Sequence, residues 1–316
     1  MHLASKEKLG VNGHPKMLSG WDALPADYRI PEQAFSLSEA LAYCARLART
    51  HYENFSVATW FLPRRLQPHF YSIYAYCRIS DDLGDEVGDP QLSLQLLSEW
   101  EAELNACYLG RARHPVFVAL AETIKACDIP KDPFANLLRA FRQDQTTTRY
   151  QSFEDLLGYC ENSANPVGRL VLYACGYRDS ERQELSDFTC TALQLANFWQ
   201  DVAVDYGKGR VYLPLNDLSR FGLSEQTIAS GRATPEFLRL MEFQVERARD
   251  WFDRGLPLVG KVDRELAIDI ELFSRGGQEI LNAIERQNFD VLRSRPTISK
   301  PRKLALVARA ALGKLL

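Results

Sequence analysis

No uninterrupted apolar run in this 316-residue chain reaches the roughly 18–20 residues that a membrane-spanning helix needs. The opening MHLASKEKLG lacks the pattern of a signal peptide. The seven cysteines (44, 77, 107, 127, 160, 175 and 190) are scattered, form no C-x-x-C pair and are odd in number. That argues against a disulfide framework or a structural zinc site and for a reducing, cytoplasmic setting. Neither sign of charge dominates, and a net charge of −3 gives no reason to expect nucleic acid as a partner. No G-x-G-x-x-G follows a strand pattern, so no nicotinamide site is indicated. Alternating strand runs, internal repeats and low-complexity linkers are also missing.

What the chain does have is helical periodicity almost throughout. SLSEALAYCARLARTHYENF opens with a capping-box pattern, Ser36 with Glu39. QPHFYSIYAYCRISDDLGDE, LSLQLLSEWEAELNACYLG, PVFVALAETIKACDI, DPFANLLRAFRQDQTTTRY, SFEDLLGYCENSANPVGRLVLYACG and DRELAIDIELFSRGGQEILNAIERQNFDVL read the same way. With 46% hydrophobic and 25% charged residues, the composition is that of a folded globular protein. The expected fold is all-α: one large helical domain over 32–296, an irregular lead-in over 1–31 and a basic amphipathic segment over 297–316.

Two stretches stand out. In QLANFWQDVAVDYGKGRVYLP, residues Gln194, Asn197, Asp201 and Asp205 are spaced i, i+3, i+7, i+11, one polar stripe on an otherwise apolar helix. A solvated face would show Lys, Glu and Ser, whereas this stripe shows two acids and two amides. In YSIYAYCRISDDLGDE, Tyr74, Arg78, Asp81 and Asp85 repeat the pattern at i, i+4, i+7, i+11, with Asp82 alongside. If the two helices face each other, four carboxylates share one cavity and repel. Mg²⁺ relieves that conflict, because it takes one or two carboxylates and completes its shell with water and substrate phosphates. The pair of stripes therefore reads as a magnesium-held diphosphate trap, with Arg78 and Arg210 as natural partners for phosphate oxygens.

These motifs resemble the squalene/phytoene synthase family of head-to-head isoprenoid synthases, over about Leu37 to Leu292. AYCARLARTHYENFSVATWFLP is similar to the family's first helix and turn, and the two acidic stretches to its two aspartate motifs. The resemblance implies an isoprenoid-synthase fold with a central cavity. It implies that Asp81, Asp85, Asn197, Asp201 and Asp205 are magnesium ligands or their neighbours. Arg78 and Gln194 would contact diphosphate, His51 and Asn54 would lie near the first-helix diphosphate contacts, and Arg210 and Tyr212 would close the phosphate end. Tyr74, Tyr159 and Phe55 would line the region where carbocations form.

Departures from the family's usual pattern point to a branch. The run before Phe55 is Tyr52-Glu53-Asn54 where relatives place serines or a basic residue, and Gln200 stands where arginine is usual. Pro166, in ENSANPVG, predicts a kink after Tyr159. Near the C-terminus, where relatives can place a tyrosine, this chain has Gly276-Gly277. This set resembles the bacterial hydroxysqualene synthase branch, which ionises presqualene diphosphate and quenches the final cation with water. Glu53, Asn54 and Asn165 are all candidates to hold that water. The alternatives are a phytoene, squalene or dehydrosqualene synthase condensing two farnesyl or geranylgeranyl diphosphates, and a non-catalytic scaffold of the same fold. A head-to-tail elongation enzyme fits less well, because the second motif is D-x-x-x-D and not D-D-x-x-D.

Trp60 and Trp199 read as packing. The segment ISKPRKLALVARAALGKLL has five cations and no acid, and suits either an anionic membrane surface, on the inner face, or docking on the domain. A presqualene diphosphate synthase is the functional partner that such an activity implies.

Overall fold

In the computed structural model, the structure describes Trp21, residues 24–50 and residues 63–315. His51, Glu53, Asn54, Phe55 and Trp60 lie outside the described residues. Among the described residues the architecture is helical throughout, with a lone parallel bridge between Arg149 and Val211 as its only strand-like pairing.

The first half of the chain comprises α1 (Leu37–Thr50), α2 (Gln67–Asp85), α3 (Pro90–Tyr108), α4 (Pro115–Cys127) and α5 (Asp132–Gln143). The expected capping box is present at α1, where the Glu39 carboxylate accepts from the Ser36 backbone N–H at 3.0 Å. Prolines 68, 90, 115 and 133 sit in first turns, where the missing N–H is harmless. His114 and His69 have structural places. The His114 ring caps α4 by accepting from the Val116 N–H at 3.3 Å, and His69 lies within α2, 3.0 Å from the Thr123 hydroxyl.

The second half comprises α6 (Phe153–Ser163), α7 (Asn165–Ala174), α8 (Ser180–Gly207), two short helices α9 (Leu215–Arg220) and α10 (Glu225–Ala229), then α11 (Pro235–Gly255) and α12 (Arg264–Arg286). Pro166 does more than kink its helix. It falls in the first turn of α7, so one expected helix becomes two, separated at Ala164. The C-terminal α13 (Lys300–Leu315) packs along α12, with Arg302 on Glu279 at 3.0 Å, the docked alternative for this segment.

α2 and α8 are the pillars of the two halves. α2 buries Phe70, Ile73, Tyr76, Ile79 and Leu83 against α1, α3 and α4. The Trp100 indole N–H donates to Ser80 Oγ at 3.0 Å, and the Tyr76 hydroxyl to the Phe134 carbonyl at 2.8 Å, which fixes the rotation of α2 about its axis. α8, about 42 Å long at 1.5 Å per residue, buries Leu195, Ala196, Phe198, Trp199 and Val202 against α7, α11 and α12. Each pillar thus commits its apolar side to its own core and turns the remaining stripe towards the space between.

Candidate active site

That space is a cavity of about 890 Å³, near the upper end of the roughly 300–1,000 Å³ usual for small-molecule sites. Tyr74, Arg78, Asp81 and Asp85 line it from α2, and Gln194, Asn197, Asp201 and Asp205 from α8. The two stripes do face each other. Tyr159 of α6, Arg210 and Tyr212 also line it. Of the residues read from the sequence, His51, Asn54 and Phe55 are the ones left outside the description, and Glu53 with them.

Local turns deliver the second group. α8 ends at Gly207, and Gly209 takes φ +80°, a left-handed value that favours glycine. The chain reverses there, and the Arg210 N–H donates back to the Asp205 carbonyl at 2.8 Å. Val211 then donates its N–H to Thr148 at 2.9 Å and Leu215 to Tyr150 at 3.0 Å, which clamps this strand-like segment beside residues 148–151. The result aims Arg210 across the cavity, where it donates to Asp85 at 2.9 Å. It also stacks Tyr212 on Phe198, with ring centroids 3.9 Å apart and planes at 10°. Tyr159 joins this group, 6.0 Å from Tyr212 and 6.2 Å from Phe198.

The cavity has two chemical ends. At one end five carboxylates (Asp81, Asp85, Asp144, Asp201 and Asp205) face three cationic groups, Arg78, Lys208 and Arg210. Burial, and then the neighbouring Asp85, raises Asp81 to about 6. Burial, and then Asp201, raises Asp205 to about 6. Asp81 is nonetheless half open to the cavity, its side chain 49% accessible, so its shift reflects confinement among protein atoms and not complete removal from water. At the other end Val167, Val171, Leu193, Leu258, Leu266 and Phe273 make the wall mostly apolar, with buried Asp269 among them.

Three neighbours escaped the sequence reading. Asp144 lies just beyond α5 and lines the cavity. Its Oδ2 accepts from the Tyr159 hydroxyl at 3.0 Å, and its buried Oδ1 has no hydrogen-bond partner among the described residues. Burial raises Asp144 to about 6. Lys208, at the end of α8, also lines the wall. Arg295 donates Nη2 to Asp201 at 3.0 Å, and to Gln200 Oε1 at 3.2 Å. Gln200 completes that lock by donating to the Pro296 carbonyl at 2.6 Å. The loss of positive charge expected from Gln200 is therefore offset, because a guanidinium arrives from the segment before α13.

The water candidates are also narrowed. Asn165 is buried, accepts from the Thr191 hydroxyl at 2.9 Å and is not part of the cavity wall. Ser163, one turn past Tyr159, does line the cavity, and its buried hydroxyl has no partner among the described residues. Such an atom calls for a water or a ligand.

A divalent cation fits this donor set. Among the described residues no group of three or more His, Cys, Asp or Glu side chains gathers tightly enough to hold a metal by itself. Mg²⁺ needs no such cage, since it keeps water and substrate phosphate in its shell. The confined, mutually repelling carboxylates are oxygen donors short of positive charge, and arginines already stand on Asp85 and Asp201.

The fold and this paired-acid cavity define an all-α prenyl-transfer type of enzyme, and comparison with known proteins makes the class specific. The family described as squalene/phytoene synthase matches residues 48–302, and the chain belongs to that family. Among solved structures it is similar to the squalene synthase HpnC from Alicyclobacillus acidocaldarius, at 44% identity and a TM-score of 0.77 over 85% of this chain and 98% of that one. A dehydrosqualene synthase structure, 24% identical, shares the fold, with a TM-score of 0.79 over 87% of this chain and 96% of that one. Among curated relatives, the 15-cis-phytoene synthase of Synechococcus elongatus is 29% identical over 88% of this chain and 94% of its own length.

Proposed function

We propose that this protein converts presqualene diphosphate to hydroxysqualene, releasing diphosphate, in a magnesium-dependent reaction. The observation that carries this reading is the likeness to a squalene synthase of the HpnC type, well above that to phytoene synthases. The two-ended cavity supports it, with acids for metal and diphosphate at one end and apolar wall for hydrocarbon at the other.

Asp81 and Asp85 on one side, and Asn197, Asp201 and Asp205 on the other, would hold the magnesium. Bound there, it would neutralise charge developing on the leaving diphosphate. Arg78, Gln194, Lys208 and Arg210 orient the diphosphate so that its C–O bond points into the apolar end. Ionisation breaks that bond and leaves a cyclopropylcarbinyl cation, which rearranges between the faces of Tyr74, Tyr159 and the stacked Phe198–Tyr212 pair. Each well-placed ring stabilises a cation by roughly 0.5–2 kcal/mol. Water held by Ser163 adds its oxygen to the final cation, and the proton passes through cavity water to the departed diphosphate. Electrons balance without a redox cofactor. The substrate implies an upstream enzyme that joins two farnesyl diphosphates, and the exposed Lys300 and Lys303, on the docked α13, would favour an anionic membrane surface as its source.

The test is to offer the purified protein presqualene diphosphate and farnesyl diphosphate in separate reactions with magnesium. The reading expects turnover of the first and little of the second. Efficient condensation of farnesyl or geranylgeranyl diphosphate would move the protein to the condensing branch of its family.

A further inference from the structure

Asp82, beside the first acid pair, does not face the cavity. It is 5% exposed, and its carboxylate grips the Arg78 guanidinium as a fork. Oδ2 accepts from Nε at 3.1 Å, and Oδ1 accepts from Nη2. The same Oδ2 accepts a second bond, 2.7 Å long, from the hydroxyl of Tyr28. Tyr28 comes from the lead-in, which the sequence shows only as irregular. It is 2% exposed, in a short 3₁₀ turn, Ala26–Tyr28. That turn is itself held, because the Asp27 carbonyl accepts from the Tyr43 hydroxyl at 3.1 Å and lies 3.2 Å from His114 Nε2.

The consequence is directional. With Nε and Nη2 committed to Asp82, Nη1 is left towards the cavity side, 3.7 Å from Asp81. A carboxylate so nearly removed from water needs its donors. Without Tyr28 it would have, among the described residues, the guanidinium alone and room to rotate, and the guanidinium would turn with it. Burial and the Asp82 contact hold the Tyr28 phenol above its ordinary value, so it remains a donor at working pH.

We propose that Tyr28 is a positioning residue for the diphosphate site: through Asp82 it fixes Arg78 so that Nη1 is presented to the anion. The inference rests on the reading that Arg78 faces diphosphate. It makes the lead-in part of the site's architecture and not a passive leader.

The test is a double-mutant cycle on the full chain, reading the affinity for inorganic pyrophosphate at fixed magnesium by calorimetry. Tyr28→Phe keeps the ring and removes only the hydroxyl. It should weaken pyrophosphate roughly three- to tenfold, in the range of couplings within one network. Arg78→Gln should weaken it as well, and adding Tyr28→Phe to Arg78→Gln should then change nothing further. Tyr28→His, which returns an N–H donor near the same place, should recover part of the loss. If Tyr28→Phe does not fold, Asp82→Asn breaks the same relay and enters the cycle in its place. A lowered Tm with unchanged pyrophosphate affinity in Tyr28→Phe, beside a weakened Arg78→Gln, would overturn the inference alone. Unchanged affinity in Arg78→Gln would overturn the reading of Arg78 and the inference with it.

Discussion

Arg295 and Asp201 lie 94 residues apart in the chain and meet side chain to side chain, the guanidinium at the same time holding Gln200. From the resemblance to its family an arginine is expected at position 200, and a glutamine stands there. Here a guanidinium reaches Asp201 from a different segment, and the side chain at 200 holds it. Gln200→Arg should therefore not restore a family contact. It removes two hydrogen bonds of a buried amide and sets a second cation against Arg295, so stability should fall by about 1–3 kcal/mol. Thermal unfolding of the variant checks this, and an unchanged Tm would contradict it.

The acid stripes carry a conflict that substitution should relieve. Burial and Asp201 raise Asp205 to about 6, so the folded, metal-free protein takes up this proton more readily than the unfolded chain. A raised carboxyl pKa adds stability as pH falls through 6 and withholds it above. Asp205→Asn should accordingly be more stable than the parent at pH 7.5 without metal, and the advantage should shrink towards pH 5.5. Turnover should be largely lost. A variant less stable than the parent at pH 7.5 would sink the idea.

Tyr159 has two separable roles, a ring in the cavity wall and a hydroxyl on Asp144. Tyr159→Phe keeps the first and should cost about 1–3 kcal/mol of stability, because both Asp144 oxygens then lack a partner among the described residues. Tyr159→Leu loses the aromatic face as well, and kcat should fall by a further factor of roughly 2 to 30, the equivalent of one cation–π contact. Equal kcat in the two variants would remove the ring from the mechanism.

Much of this was legible because helices write their faces into the sequence. Asp81 and Asp85, and Asp201 and Asp205, sit at spacings that put each pair on one side of one helix, and both pairs line the cavity. Asp144 carries no such signal, since it follows the end of α5 in a polar run and enters the cavity only through packing. Arg295 and Tyr28 act across 94 and 54 residues, distances over which spacing says nothing. Pro166 was visible as a helix breaker, but whether it bends or splits a helix depends on what Ala164 and Asn165 pack against.

Ser163 tests the water step. Its hydroxyl stands in the cavity wall without a partner among the described residues. Ser163→Val should leave ionisation of presqualene diphosphate intact and shift the products from alcohol towards hydrocarbons formed by proton loss. Chromatography of the extracted products gives that ratio, and an unchanged ratio would exclude Ser163 as the water's holder.

The most direct measurement of the central claim is the source of the product's oxygen. Purified protein with presqualene diphosphate and magnesium should be run in ¹⁸O-water and the product weighed by mass spectrometry, with and without NADPH. The account predicts a C30 alcohol heavier by one ¹⁸O, at a rate that NADPH does not change. A hydrocarbon without solvent oxygen, or a product that requires NADPH, would contradict it.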